Sequence, residues 1–247
     1  MTDRIQQAPH HVVVFDLGGT VLDAAAPEFE LLTDDSFSHF AAADLMRHTR
    51  ELFADLMAES AATEPTQRSV EEVYRAYSER TGCDIPRVDI EECAWRMIGG
   101  PRTRYLTPLP HAVAALEACR LDGVGLVAMS NTALPSSLLE RILSVHGLAN
   151  AFDAVVLSSE IGWRKPSENL VRCVETLYPH LHPSRFMMVG DDAALDLMPC
   201  ARRGWATVLV GEAEPLVTLG DETPRVASTE EAVVHVRSFV GAAVRQQ

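Results

Sequence analysis

Four groups of polar residues follow short apolar runs, and they are Asp16, Ser130-Asn131-Thr132, Lys165 and Asp191-Asp192. Carboxylate oxygens are the ligands that a hard cation such as Mg²⁺ prefers, whereas hydroxyl, backbone N–H and ammonium groups suit a phosphate. Each group taken alone is as well explained by helix capping or by solvent exposure. Together, a carboxylate, a cation and a phosphate cradle are what an aspartyl-phosphate mechanism requires.

The cationic residues are unusual. Of the 21 lysine and arginine residues, Lys165 is the only lysine and the other 20 are arginine. A compositional preference for arginine accounts for the arginines but leaves one lysine to be explained by its position. A compact ammonium cannot be exchanged freely for a planar guanidinium in a tight phosphate pocket. The single lysine is therefore a candidate for a site that needs an ammonium group.

Five apolar runs, four of which precede these groups, predict short, buried strands of a parallel sheet. The predicted strands are Val12–Phe15, Val124–Met129, Ala154–Leu157, Phe186–Val189 and Ala206–Val210. Predicted helices are Ala112–Arg120, Pro135–Val145, Glu168–Leu177, Ala193–Arg203 and a closing helix from about residue 229, with Ser228 and Glu231 as a capping box. This alternation predicts an α/β fold with a doubly wound parallel sheet, in which ligands bind outside the carboxyl ends of the strands.

A helical segment interrupts the alternation after the first strand. Apolar residues recur at helical spacing in Ser36–Glu59, Ser69–Arg80 and Asp89–Ile98, with no convincing strand among them. We therefore expect a second, smaller all-helical domain over residues 24–104 and an α/β core domain from residues 1–23 and 105–247. The Gly-, Glu- and Pro-rich region 211–227 is expected to form a surface loop.

The composition excludes several classes of partner. A net charge of −14 over 247 residues argues against nucleic acid or an anionic membrane surface, because both need clustered Lys and Arg. Five scattered cysteines without a Cys-x-x-Cys pair favour free thiols over a disulfide framework or a zinc site. With no apolar signal core and no run of transmembrane length, a cytoplasmic protein is expected. The sequence does not indicate an oligomeric state.

The order and spacing of the polar groups resemble the four motifs of the haloacid dehalogenase (HAD) superfamily. The segment Asp16–Asp23, DLGGTVLD, is similar to the first motif, usually Asp-x-Asp-Gly-Thr, and Ser130-Asn131 resembles the second. Gly162–Pro166 resembles the third motif, and Gly190-Asp191-Asp192 followed by Asp196 resembles the fourth. The resemblance implies the Rossmann-like core of that superfamily, with the helical insert in the place of its cap domain.

The resemblance covers about residues 10–24 and 105–212 and implies a role for each motif residue. It makes Asp16 the catalytic nucleophile, with Lys165 beside it. It implies phosphate binding by Ser130, Asn131, Lys165 and Thr20, metal binding by Asp16, the Gly18 carbonyl and Asp191, and supporting positions for Asp192 and Asp196. The implied activity is Mg²⁺-dependent hydrolysis of a small phosphorylated metabolite through an aspartyl-phosphate at Asp16.

Gly18 departs from the superfamily pattern, because phosphatases of that superfamily normally carry a second aspartate at this position. That residue protonates the leaving group and then activates the hydrolytic water, and a glycine can do neither. Its carbonyl can still bind a metal ion. We expect an intact Mg²⁺ and phosphate site with an impaired proton-transfer step, in which Asp23, His39 or His48 could substitute.

Two enzyme branches and one binding role are alternatives to a phosphatase. Dehalogenases also lack the second aspartate, but they need no Mg²⁺, and the retained Asp191 argues against that branch. Phosphonate-cleaving relatives need a lysine from the cap, and residues 24–104 contain none. A catalytically impaired protein that binds a phosphorylated ligand or a protein partner stays open. Substrate contacts from Trp163 or from Arg102, Arg104 and Tyr105, where the insert rejoins the core, stay open too.

Overall fold

A central parallel sheet positions the polar groups in the computed structural model of the chain, which describes residues 9–23, 42–61, 65–82, 86, 91–92, 95, 106–211 and 223–244. The strands are β1 Val12–Phe15, β2 Leu22–Asp23, β3 Thr107–Pro108, β4 Gly125–Ser130, β5 Ala154–Leu157, β6 Phe186–Gly190, β7 Ala206–Val210 and β8 Arg225–Val226. The α-helices are α1 Ala42–Ala61, α2 Val70–Thr81, α3 Ala112–Leu121, α4 Ser136–Val145, α5 Ser158–Ile161, α6 Glu168–Leu177, α7 Met198–Arg202 and α8 Thr229–Val244. A 3₁₀ turn covers Pro183–Arg185 and a π-helical turn covers Ala193–Leu197.

Six strands form the sheet in the order β5-β4-β1-β6-β7-β8, and every neighbouring pair is parallel. Strand β1 is central, with Phe15 in register with Ala128 of β4 and with Val189 of β6. Because the strands run the same way, their carboxyl ends meet at one edge. The predicted doubly wound α/β fold is confirmed. The first strand lies between β4 and β6, which carry the second and fourth motifs, while the third motif follows β5 on the far side of β4.

Alternate residues of β1 face two separate hydrophobic clusters, which is why the strand reads as a continuous apolar run. Val13 and Phe15 pack in the cluster that also contains α3, α4, α8 and residues of α1 and α2. Val12 and Val14 face the opposite cluster, which is completed by α6 and Trp205. Helices therefore cover both faces of the sheet.

Helix α2 begins and ends where its sequence predicts. The Ser69 hydroxyl accepts from Glu72 N at 3.2 Å, and the Glu72 carboxylate accepts from Ser69 N at 2.7 Å, which makes a complete capping box. Gly82 follows in the left-handed region at φ 66°, a conformation that costs glycine little. Helix α1 carries His48, whose Nδ1 lies 2.7 Å from the Tyr77 hydroxyl within the same pair of helices.

The predicted helix Ala193–Arg203 is helical in the structure, but its first part, Ala193–Leu197, is a π-helical turn that leads into α7. Pro199 explains the difference. In a regular helix its ring would clash with the carbonyl of Leu195, and it has no N–H to donate there. A wider turn, in which Met198 N donates to Ala193 O, avoids that conflict.

Three two-residue strands were not predicted. In the region expected to be a surface loop, β8 lies beside β7, with Gly211 N donating to Val226 O at 2.8 Å. Strands β2 and β3 pair antiparallel, joining the chain just before the predicted insert to the chain just after it. None of the helices in the described ranges is both long and apolar enough to cross a lipid bilayer.

Candidate active site

The buried Lys165 side chain joins two carboxylates at the carboxyl-end edge of the sheet. Its ammonium donates to Asp16 Oδ1 and, at 2.6 Å, to Asp196 Oδ1. The three side chains are 4%, 7% and 1% exposed in the order Lys165, Asp16 and Asp196, so water screens the pair interactions little. The only lysine of the chain thus lies against the carboxylate that ends β1.

Three carboxylates converge here, since oxygen atoms of Asp16, Asp191 and Asp196 all lie within 4.8 Å of one another. Burial raises the pKa of Asp16 to about 7, and although Lys165 opposes this shift, the charges of Asp196 and Asp191 add to it. Burial alone would lower the pKa of Lys165, but Asp16 and Asp196 outweigh it and raise that pKa. Asp191 is exposed overall, but desolvation of its carboxyl group beside the buried pair, together with the charge of Asp196, raises its pKa. One ammonium therefore faces an excess of negative charge.

The loop that follows β4, residues 130–134, is fastened to the loop that carries Lys165, residues 162–166. We call them the Ser130 loop and the Lys165 loop. The side chain of Asn131 accepts from Lys165 N at 2.7 Å and donates to Lys165 O at 3.1 Å. Asn131 therefore holds the main chain of Lys165 with its side-chain amide.

Two serines after β5 fix the rest of the Ser130 loop. The Ser158 hydroxyl accepts from Thr132 N at 2.9 Å and donates to Thr132 O at 3.1 Å, and the Ser159 hydroxyl donates to Leu134 O at 3.2 Å. Both serines are almost fully buried. Helix α4 begins directly after this loop, so the positive end of its dipole lies at the same edge of the sheet as Asp16.

The two adjacent aspartates after β6 have different surroundings. Asp192 Oδ1 accepts from Ala194 N at 2.8 Å and from Leu195 N at 2.9 Å, which caps the π-helical turn. That turn brings Asp196 back, where its Oδ2 accepts from Asp192 N at 3.1 Å while its Oδ1 faces Lys165. Asp191 is exposed and lies beside Asp16.

Gly190→Ala should destabilise the protein, because a Cβ at this position would lie 2.5 Å from Asp196 Oδ2 and 2.7 Å from Asp196 Cβ. Asp196 would have to move away from Lys165, so we expect the free energy of unfolding to fall by about 1–3 kcal/mol in urea denaturation. Gly241→Ala in α8 is the matched control, since its Cβ would meet nothing within 4 Å. The free energy of unfolding of the control should be unchanged or rise by up to about 1 kcal/mol. Equal stability of the two variants would contradict the conclusion that Asp196 leaves no room for a side chain at Gly190.

The turn after β1 is closed by main-chain hydrogen bonds. Val21 N and Leu22 N both donate to Leu17 O, at 2.9 Å and 2.7 Å. Gly19 adopts φ +83°, and a Cβ there would lie 2.1 Å from Asp191 Oδ2, so both conformation and space require glycine. Gly18, in contrast, is not among the glycines with positive φ. The fully buried Thr20 directs its hydroxyl towards Asp191 Oδ1 at 3.4 Å.

The other residues considered from the sequence have different surroundings or lie outside the described residues. Asp23 is exposed on β2, and His48 is hydrogen-bonded to Tyr77. Trp163 pairs with Thr66 in an isolated bridge. The structure does not describe His39, Arg102, Arg104 or Tyr105.

Sequence reasoning missed three contributions to the site. Ser158 and Gln67 both hydrogen-bond the main chain of Thr132, and the Asn131 side chain holds Lys165. Ser158 had a weak signal, because it is a polar residue directly after a predicted strand. Gln67 had none, since it lies in a polar stretch between two helices, 65 residues from its partner.

This fold is that of a Rossmann-like α/β protein, a class in which ligands bind at the carboxyl ends of the parallel strands. Residues 10–204 match the haloacid dehalogenase-like hydrolases, and the chain belongs to this family. The family identified from the sequence motifs is therefore confirmed.

Curated relatives align with parts of the chain. It is 35% identical over 102 residues to the pyrimidine 5'-nucleotidase YjjG of Escherichia coli, covering 41% of this chain and 44% of that protein. It is 30% identical over 161 residues to the phosphoserine phosphatase of Thermus thermophilus, covering 61% of each. The chain thus spans less than two thirds of the length of either relative.

Solved structures share the fold at low sequence identity. A putative HAD-hydrolase from Bacillus subtilis, YfnB, bound to magnesium, is 18% identical to this chain, with a TM-score of 0.57. The match covers 93% of this chain and 100% of that one. At this identity the likeness shows the common architecture alone.

Proposed function

We propose that the chain is a Mg²⁺-dependent phosphomonoester hydrolase that acts on a small phosphorylated metabolite. The observation that carries the proposal is the contact of the single lysine with Asp16, at the edge where the Ser130 loop and Asp191 also lie. A nucleotidase and a phosphoserine phosphatase among the relatives support phosphomonoester chemistry.

The donor set at this edge fits Mg²⁺. Three carboxylates with oxygens within 4.8 Å of one another face one ammonium, so a hard divalent cation would offset the remaining negative charge. We assign the ion to Asp16, Asp191 and the carbonyl of Gly18, with Asp196 engaged by Lys165. When bound, Mg²⁺ supplies Lewis-acid stabilisation of charge on the phosphoryl oxygens.

The chain's own residues account for two displacement steps. An oxygen of Asp16 attacks phosphorus, the bond from phosphorus to the leaving oxygen breaks, and the leaving oxygen takes up a proton. Water then attacks phosphorus, gives up a proton, and releases phosphate and Asp16. Ser130, the Asn131 N–H and Lys165 hold the phosphoryl oxygens, while Thr20 holds the turn and Asp192 and Asp196 hold the fourth motif.

The proton-transfer steps of this mechanism lack their usual side chain. Gly18 has no side chain to protonate the leaving group or to activate water, and loss of such a group typically costs about 10²–10⁴-fold in rate. We therefore expect slow turnover that favours leaving groups of low pKa, because those depart without protonation.

We retain the sequence-based domain assignment as part of the proposal. Residues 24–104 would form the smaller cap domain, and residues 1–23 with 105–247 the catalytic core. Helices α1 and α2 and the pairing of β2 with β3 support that assignment. A cytoplasmic location is likewise proposed, on the composition given above.

Removal of Mg²⁺ tests the proposed function. Purified protein should hydrolyse an activated aryl phosphate with added Mg²⁺, lose that activity in excess chelator, and regain it when Mg²⁺ is restored. Mg²⁺ should also raise the melting temperature, because it binds only the folded site, with about 2.7 kcal/mol expected at 100 times its Kd. Hydrolysis that continues unchanged in chelator would overturn the proposal.

The second candidate is a binding protein that retains the site without turnover, and Gly18 is the observation that favours it. In that case a broad panel of phosphomonoesters should give no hydrolysis, while Mg²⁺ and phosphate together still raise the melting temperature. Measurable, chelator-sensitive turnover of any member of the panel decides for the enzyme.

A further inference from the structure

A short segment of the helical insert lies directly against the Lys165 loop. This segment, residues 65–68, follows α1 and precedes α2, and we call it the clamp segment. Thr66 forms an antiparallel bridge with Trp163, Gln67 N donates to Gly162 O at 3.0 Å, and Arg164 N donates to Pro65 O at 3.0 Å. The three residues before Lys165 are thus paired with main chain from the insert.

The side chain of Gln67 reaches the other loop of the site. Its Nε2 donates to Thr132 O at 2.6 Å, and the residue is 6% exposed. Thr132 directly follows Ser130 and Asn131. One residue of the insert therefore binds the Lys165 loop with its main chain and the Ser130 loop with its amide.

Arg164 of the Lys165 loop binds the end of helix α1, just before the clamp segment. Its guanidinium is 2% exposed, and Nη2 donates to Glu59 O at 2.5 Å. Glu59 Oε2 accepts from Arg68 Nε at 2.8 Å, and Glu59 Oε1 accepts from Arg68 N at 2.9 Å. A buried guanidinium needs such partners to offset its lost hydration, so the last turn of α1, the clamp segment and the Lys165 loop are held together.

The buried amide of Gln67 is not explained by stability alone. Its Oε1 is buried without a hydrogen-bond partner among the residues that the structure describes. An apolar side chain of similar shape would remove this unpaired acceptor together with the donor to Thr132 O, and that carbonyl would keep the Ser158 hydroxyl as a donor at 3.1 Å. Because the cost of the unpaired atom offsets the lost hydrogen bond, the net effect on folding should be small. The contact that this amide does make is the hydrogen bond from Nε2 to the carbonyl of Thr132, which holds the Ser130 loop.

We propose that Gln67 is a positioning residue, through which the insert sets the separation of the Ser130 loop and the Lys165 loop. Because Asn131 already ties the two loops to each other, Gln67 completes a closed set of contacts around the main chain on both sides of the phosphate site. The inference rests on the proposed function only in taking the bound group between the loops to be a phosphoryl group.

The test compares Gln67→Met, which keeps the length of the side chain and removes its donor, with Arg80→Met as the matched control. Arg80 belongs to the same insert and pairs with Asp55 at 2.7 Å, away from both loops. Hydrogen exchange of the full, ligand-free chain is followed at Thr132, Leu134, Arg164 and Lys165, whose amides are all hydrogen-bonded in these loops. Affinity for inorganic phosphate is measured by calorimetry in Mg²⁺.

Gln67→Met should speed exchange in both loops and weaken phosphate binding about three- to tenfold, the range for one net hydrogen bond, with little change in melting temperature. Arg80→Met should change none of these. Unchanged loop exchange, or faster exchange with unchanged phosphate affinity, would overturn the proposal, as would a lower melting temperature with normal affinity. If the wild-type chain itself fails to bind phosphate, the proposed function falls, and exchange alone decides whether Gln67 orders the loops.

Discussion

Asp16→Asn should reduce Mg²⁺-dependent hydrolysis of an aryl phosphate on the order of 10⁴-fold or more, as removal of a covalent nucleophile does in other hydrolases. Asparagine preserves the size of the side chain, but a neutral carboxamide cannot attack phosphorus and makes a weaker metal ligand. Steady-state rates with Mg²⁺ in excess give the measurement, and circular dichroism establishes that the variant is folded.

Asp122→Asn is the matched control for that experiment. Asp122 follows α3 and precedes β4, which places it at the opposite edge of the sheet, where it pairs with Arg237 at 2.8 Å. The same change of atoms there should leave the rate within about twofold, because a surface ion pair contributes at most about 1 kcal/mol to stability. Activity that survives Asp16→Asn at the level of Asp122→Asn would remove Asp16 as the nucleophile.

The parts of the fold that sequence predicts best are those whose signal is local. The strand before Asp16 is a run of four β-branched or aromatic residues, and its sharp ending in a carboxylate gives both the element and its polar end. The boundaries of α2 follow from Ser69 and Gly82, since each residue satisfies main-chain groups within its own helix end. Parallel pairing then brings the strand ends together without further information.

The missed elements depend on partners far away in sequence. Two-residue strands such as β3 and β8 have too few residues for an alternating pattern, so only their neighbours define them. The π-helical turn results from Pro199 inside an otherwise helical pattern, a conflict that the periodicity of the apolar residues does not register. Tertiary packing decides such cases.

The candidate site divides in the same way. Motif order pointed to Asp16, Ser130, Lys165 and Asp191, and the structure brings these regions to one edge. The motif order did not indicate that the Asn131 side chain holds the main chain of Lys165, 34 residues away, because any polar residue after a strand gives the same local signal. The role of Gln67 could not be predicted either, because its contacts form only when the insert folds against the core.

Gly18→Asp should increase hydrolysis of an alkyl phosphomonoester by about 10²–10⁴-fold, the range that a positioned general acid and base supplies. Gly18 is not among the glycines with positive φ, so its main chain can accept a side chain without left-handed strain. The carbonyl assigned to the metal ion is unaffected by the change. The measurement is kcat/KM on a matched pair of alkyl and aryl phosphates, with Mg²⁺ held constant.

The size of the gain should depend on the leaving group, and this dependence separates acid catalysis from a general improvement of the site. An aryl oxygen departs without a proton, so the rate of its release should rise much less than that of an alkyl oxygen. Gly18→Asn serves as the control, because it adds similar bulk without a titratable group and should give no gain. A similar gain with asparagine, or with both leaving groups, would contradict a restored proton transfer.

If Gly18→Asp gives no gain on either substrate, either a different residue already moves the proton or the defect lies elsewhere in the site. In the first case the wild-type enzyme should turn over alkyl phosphates efficiently. Asp23→Asn tests the next carboxylate after Asp16 in the sequence, which is exposed on β2 at the end of the same turn. A large loss in that variant would assign the proton to Asp23. An unchanged rate, together with poor wild-type turnover and no gain from Gly18→Asp, would favour the binding protein, because phosphate and metal ligands without a proton carrier suffice for retention of a phosphorylated ligand but not for its release as alcohol and phosphate.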